Sequence, residues 1–490
     1  MRFKRLISCC LAALLACEPI MPLAAQEYNL PNLGAAGGST ISPLEERMLG
    51  EQIMVEVRSD PTYLTDAETT EYLNKIGYKL VAHSPNNGYT FNFFSIKDAS
   101  LNAFALPGGF IAVHTGLVIA ASNESELASV MAHEISHVEQ RHIARMLENQ
   151  KGSLAMTLGS LLLAILAARA GSGDGAAAAI VGTQAAMAQN YLSFSRDAER
   201  EADRLGFSTL TRAGFDPKGM QNFFEKLDFN SRSYEGPTAA PAYLRTHPLT
   251  VERISEAQNR SRLAGKSNYK DSLDFFLIQA RLRVLQSNRY QAWSDAADYF
   301  RSDLKTANGY KAVADHYGMA VAALKMKNEK LALEQIEAAR KLAGKSAIID
   351  KFYSELLFTS GNRTKGLELA KKTFNDHPLS QMTLLNYVTL LQRAGKYDQV
   401  VSVLRKQSAL SKHTVAYQKA IGRAYEAMGK KSLSHQAIGE MYALSGMKTA
   451  AIEQLTIAQQ ANDADFYTMS EIDARLRQLR KDVADDKKFQ

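Results

Sequence analysis

Residues 131–137 read Met131-Ala132-His133-Glu134-Ile135-Ser136-His137, and the first half of the chain is understood from them. Side chains four apart share one face of a helix. His133 and His137 therefore present two imidazoles to one point, and Glu134, one step on, reaches a water held there. That is the HExxH arrangement, in which two histidines hold zinc and the glutamate acts as general base. The metal's part is to acidify a water and polarise a carbonyl. The surroundings suit a metal-binding helix. Leu127, Val130, Met131, Ile135 and Val138 recur at steps of three and four. Residues 122–149 are expected to form one long helix, capped by Ser122 or Asn123.

A catalytic zinc site takes three protein ligands and keeps one position open. A second helix, about 195–212 and stopped by Ala213-Gly214, carries Glu199 and Asp203 four apart. Glu199 can reach the metal, and Asp203 on the same face can accept a hydrogen bond from a histidine ligand. The competing reading is a solvated helix with ion pairs among Glu199, Arg200, Glu201 and Arg204. Further on, Thr246-His247-Pro248 precedes Arg253. His247 in a proline-set loop can line a cleft, donate to a tetrahedral intermediate, occupy the open metal position, or be plain surface.

Upstream, residues 43–84 have a helical pattern, and 89–96 read as an aromatic-rich strand. Residues 103–113 hold two strand-like pieces around Pro107-Gly108-Gly109, which predicts a hairpin. Between the two motif helices, 154–168 is nearly all apolar and leads through a Gly/Ser-rich stretch to 187. It is short for a membrane span. A buried helical hairpin competes with a mobile lid or membrane-touching loop beside the active site. A true span would resist a carbonate wash.

The second half changes character. Gly361, Gly395 and Gly429 stand 34 residues apart, the tetratricopeptide period. Gly422 and Tyr425 precede Gly429 at first-helix offsets, and Pro378 sits where a repeat closes. Gly446 comes too early, so the last units are irregular. Stacked helix pairs predict a solenoid with a concave binding surface. The alternative is a generic helical bundle.

The N-terminus has an export pattern: Arg2, Lys4 and Arg5, then an apolar run over 6–16. Cleavage after Ala25 competes with a lipoprotein reading that leaves a lipidated Cys17. The three cysteines, Cys9, Cys10 and Cys17, all lie in this segment, which excludes a disulfide framework or a thiolate zinc site in the mature chain. The 490-residue chain is long enough for two or three domains. At 46% hydrophobic and 22% charged it is globular in composition. Net charge is +7, spread out. No dense basic block with interleaved aromatics supports nucleic-acid binding, though a positive surface favours contact with an anionic membrane.

Taken together, His133-Glu134-x-x-His137, Glu199-x-x-x-Asp203, Asn102-Ala103-Phe104-Ala105 and Thr246-His247-Pro248 with Arg253 resemble the M48 family of zinc metallopeptidases over about residues 45–260. The resemblance implies one Zn2+ per chain held by His133, His137 and Glu199. It implies that Glu134 activates the water, with Asp203 orienting the site and taking part in proton transfer. It implies that His247 is a regulated fourth ligand, that Arg253 belongs to the cleft, and that the backbone of Asn102, Ala103, Phe104 and Ala105 pairs with an extended substrate.

The similarity extends to the family's soluble periplasmic branch. It implies quality control of unfolded or misassembled outer-membrane barrel proteins, with the repeats docking on the assembly machinery. The expected fold is mainly α: a zincin-like α+β metallopeptidase domain with a small sheet, then an all-α tetratricopeptide-repeat solenoid. The expected divisions are a signal peptide at 1–25, the peptidase at 26–265 and the repeats at 266–490. An active endopeptidase and a chaperone or assembly scaffold with a latent site are both compatible with these features.

Overall fold

The computed structural model describes residues 41–85, 88–149, 195–232 and 242–486. The expected signal segment, Cys17 and the apolar 154–187 stretch lie outside the described residues.

Ser42 and Glu45 form a capping box that starts α1 (Pro43–Ser59), and Asp66 caps α2 (Ala67–Val81). Three strands follow: β1 (Asn92–Ile96), β2 (Ala103–Leu106) and β3 (Phe110–His114). β2 and β3 form the expected antiparallel hairpin, turned by Gly108 and Gly109 at φ 77° and 89°. β1 lies parallel to β3 on its other side, giving the order β1-β3-β2. The strand expected from Tyr89 begins only at Asn92, because Asn92 sits opposite Phe110, the first residue of β3.

α3 (Thr115–Ala120) leads to α4 (Glu124–Glu139), whose cap is Asn123. Every residue of α4 is buried. The single helix expected over 122–149 is in fact two. Arg141 takes a left-handed φ of 53°, which an α-helix cannot continue through, and α5 (His142–Asn149) starts afresh. Ser195 caps α6 (Arg196–Arg212), which ends at Ala213-Gly214 as expected. α6 crosses α4 closely. A Cβ on Gly206 would stand 3.1 Å from the His133 Cα, so any larger residue would press on the α4 backbone at this spacing. α7 (Lys218–Arg232), α8 (Ala242–Thr246) and α9 (Val251–Ala264) complete the first half.

The second half is helix after helix: α10 (Leu273–Leu285), α11 (Tyr290–Asp303), α12 (Gly309–Lys325), α13 (Glu329–Ala343), α14 (Ala347–Thr359) and α15 (Arg363–Asp376). Then come α16 (Gln381–Arg393), α17 (Tyr397–Lys406), α18 (Ser408–Ser411), α19 (Val415–Ala427), α20 (Lys431–Leu444), α21 (Lys448–Ala461) and α22 (Phe466–Asp486). Gly361, Gly395 and Gly429 have φ 96°, 70° and 72° and turn α14 into α15, α16 into α17 and α19 into α20. Lys327, one period before Gly361, occupies the same slot between α12 and α13 at φ 60°. The repeat thus begins one unit earlier than the glycines reveal.

These helices do not stand apart from the first half. One apolar core runs from Tyr72, Leu73 and Ile76 of α2 through Phe275 and Ile278 of α10 to Leu356 and Met382. Polar contacts reinforce it along α2. Arg281 makes hydrogen bonds of 2.6 to 3.0 Å with both Asp66 oxygens, Lys351 Nζ is 2.7 Å from Glu68 Oε1, and the Met382 amide donates to Glu71 Oε2 at 2.8 Å. Among the described residues no helix is long and apolar enough to cross a membrane.

Candidate metal centre

His133 and His137 emerge from one face of α4 with their Nε2 atoms 2.9 Å apart. α6, held close by Gly206, brings Glu199 to the same point. Its Oε2 is 3.5 Å from His133 Nε2 and its Oε1 is 3.4 Å from His137 Nε2. Pro248 disfavours helix at the residue before it, so α8 stops and His247 turns inward. The His247 Nδ1 lies 3.0 Å from Glu199 Oε1 and 3.4 Å from His133 Nε2. The four ligand atoms offered by these buried side chains all fall within 4.8 Å of one another.

Donors around a tetrahedral ion with bonds of about 2.0–2.1 Å lie roughly 3.3 Å apart. The separations of 2.9 to 3.5 Å quoted for these side chains lie around that spacing, so the residues present can close on a small tetrahedral cation. Glu134, Glu199 and Asp203 are all buried, and the Arg253 guanidinium lies against the last two. Arg253 donates to Asp203 at 2.7 and 2.9 Å and to the Pro248 carbonyl at 2.7 Å, and its Nη1 is 2.6 Å from Glu199 Oε2. Asp203 Oδ1 in turn is 2.9 Å from His133 Nδ1.

Burial penalises every charge in this site. For Glu199 and Asp203 it is overcome by the histidines and Arg253, which hold both carboxyls below their ordinary range. For Glu134 burial wins over His247 and His133 and pushes its carboxyl up, which makes it a better proton acceptor.

A model described as peptidase family M48 matches residues 67–261. The beta-barrel assembly-enhancing protease of Escherichia coli (strain K12) is 32% identical over 488 residues, a match that covers 98% of this chain and 96% of that protein. The chain belongs to peptidase family M48. The protein of the same name in Yersinia pestis is 32% identical over 467 residues, 92% of each chain. The mitochondrial metalloendopeptidase OMA1 of Schizosaccharomyces pombe is 29% identical over 223 residues, 44% of this chain and 60% of that protein. This M48 chain is thus a metallopeptidase, and α4, α6, α8, His247 and Arg253 all fall inside the family match.

The structure of the M48 chain brings His133, Glu134, His137, Glu199, Asp203, His247 and Arg253 together. Glu199 and Asp203 are not on a solvated face; Arg200 pairs instead with Asp197 at 2.5 Å. Asn102 stands just before β2, and Ala103, Phe104 and Ala105 lie on it, an edge strand beside α4. The Ala105 amide is directed at Glu134. Two residues were missed from the sequence. Tyr243 stacks on His247, with ring centroids 4.5 Å apart and planes at 24°. His142 stands against His137. The only sequence signal for His142 is its distance of five residues from His137, which an unbroken helix would make meaningless.

Proposed function

We propose that this metallopeptidase is a zinc-dependent endopeptidase of the bacterial periplasm. It acts on unfolded or misassembled outer-membrane β-barrel proteins and rests in a latent state. The observation that carries the reading is the set of buried donor atoms on His133, His137, Glu199 and His247, with Glu134 and Asp203 beside them. His133, His137 and Glu199 hold the ion. When bound, zinc acidifies a water and polarises the scissile carbonyl. Glu134 takes the water's proton as the oxygen attacks the carbonyl carbon, and passes it to the departing amine as the C–N bond breaks. Asp203 fixes the tautomer of His133. The outer edge of β2, residues 103–105, offers backbone groups for an extended client segment.

His247 offers a fourth donor and, with an ion bound, would take the place that a catalytic site keeps open. Activation would then require His247 to withdraw from the donor set, where its ring stacks on Tyr243. The same feature favours a scaffold role at rest, in which the repeats hold the client or the assembly machinery while the peptidase is closed. The relatives named beta-barrel assembly-enhancing protease support the client class. The chain divides functionally into an export signal at 1–25, or a lipid anchor at Cys17, a peptidase at 26–265 and repeats at 266–490.

The test is zinc content and cleavage of an unfolded barrel protein by wild type, Glu134→Gln and His247→Ala. One zinc in all three, slow cleavage by wild type, faster cleavage by His247→Ala and none by Glu134→Gln is the expected result. Absence of zinc from wild type rejects the ligand set, and equal cleavage by Glu134→Gln rejects the base.

A further inference from the structure

His142 is not among the ligand donors, yet it is only 4% exposed and faces one of them. Its Nδ1 is 2.8 Å from His137 Nδ1, with ring centroids 4.9 Å apart and planes at 71°. On its far side, His142 Nε2 is 3.1 Å from Glu201 Oε2. The hydrogens follow from these contacts. His137 turns Nε2 toward the centre, so with that nitrogen on a metal its hydrogen sits on Nδ1. Two ring nitrogens in contact need one hydrogen and one lone pair between them. His142 Nδ1 therefore accepts from His137. Its own hydrogen is on Nε2, where it donates to the Glu201 carboxylate.

The backbone is arranged to make this contact. In an unbroken helix Arg141, not His142, would follow His137 on the same face. The left-handed turn at Arg141 re-aims the chain and starts α5 with His142 over His137. The turn is anchored: Arg141 Nε donates to Glu46 Oε1 at 2.6 Å, and its guanidinium also bonds the Ile41 carbonyl. A non-glycine residue held at positive φ persists where its surroundings over-determine it, commonly beside a functional site.

We propose that His142 is a positioning residue for the metal centre, with Glu201 orienting His142 and His142 orienting the His137 imidazole. This rests on the reading of His133, His137 and Glu199 as metal ligands. α6 then serves both histidines. Asp203 supports His133 directly, Glu201 supports His137 through His142, and Glu199 on the same helix faces the two histidine Nε2 atoms.

The experiment titrates the full-length protein with zinc against a chromogenic chelator, and records the unfolding temperature of the metal-free protein alongside. His142→Met keeps the bulk and removes the acceptor; it is expected to weaken zinc binding by roughly 10–100-fold, the range for lost outer-shell partners. His142→Asn places its Oδ1 where His142 Nδ1 accepts, and is expected to recover most of the affinity that His142→Met loses. Glu201→Leu, at a less buried position, is expected to weaken zinc in the same direction and guards against a misfolded His142 variant. Wild-type affinity in His142→Met or Glu201→Leu, or a loss that His142→Asn shares in full, overturns the proposal. A wild-type protein that takes up no zinc rejects the ligand set itself and this inference with it.

Discussion

Arg253 is the side chain on which both α6 carboxylates depend, since it meets Asp203 and Glu199 at once while only 5% exposed. Removing one partner of a buried ion pair leaves its counter-charge stranded, at a cost of about 3–5 kcal/mol. Arg253→Met is expected to destabilise the metal-free protein by that order in denaturant unfolding, and less when zinc is present to balance the carboxylates. Asp203→Asn is expected to hold zinc about 10–100-fold more weakly, because the amide's single acceptor oxygen must serve both His133 Nδ1 and Arg253; competition with a chelator measures this. The cluster was legible in part because His133 and His137, and Glu199 and Asp203, each sit four apart on one helix; spacing alone left the second pair open to a solvated helix, and the resemblance to the family decided it. Arg253 was visible only as a cleft residue. Its true partners lie about fifty positions away, and no local spacing encodes that.

At the scale of elements, two glycine-sized decisions govern the architecture. Gly206 sets the α4–α6 distance against main-chain atoms of His133. Gly206→Val is expected to push the helices apart, lowering both stability, by about 1–3 kcal/mol, and zinc occupancy. Loss of stability with full zinc affinity would show that the spacing does not set the site. Lys327 is the reverse case, a side chain in a slot that its counterparts fill with glycine. Lys327→Gly should stabilise the protein by about 0.5–1 kcal/mol, since glycine carries no Cβ penalty at φ 60°; thermal unfolding checks it. The period was readable from Gly361 onward because those turns require positive φ. It was hidden at Lys327 because strain there is tolerated rather than relieved. The break at Arg141 was hidden for the same reason, with nothing in Gln140-Arg141-His142 to announce it.

Across the whole molecule, α2 joins the two halves through charge as well as apolar area. Burial would raise the Asp66 pKa, but Arg281 and Thr69 bring it down from 3.8 to about 2. A carboxyl with a lowered folded-state pKa adds stability that is present above its ordinary value and is lost as pH falls through the folded one. Acidification from about pH 4 to 2 should therefore remove on the order of 2 kcal/mol from this contact. Asp66→Asn should show a shallower loss of unfolding free energy over that range, and an unchanged slope would assign the acid sensitivity elsewhere. The repeats were expected as a solenoid that follows the peptidase, and nothing in their periodicity pointed to α2 as the surface they cover. That pairing joins residues hundreds of positions apart, such as Glu71 and Met382. A chain ended at residue 265 would keep every side chain of the metal centre but strip α2 of Arg281, Lys351 and the core from Phe275 to Met382. In hereditary terms the joint is a poor place to recombine. A gene that exchanged its repeat array for another would have to bring matching partners for Asp66, Glu68 and Glu71, or lose the peptidase along with the repeats.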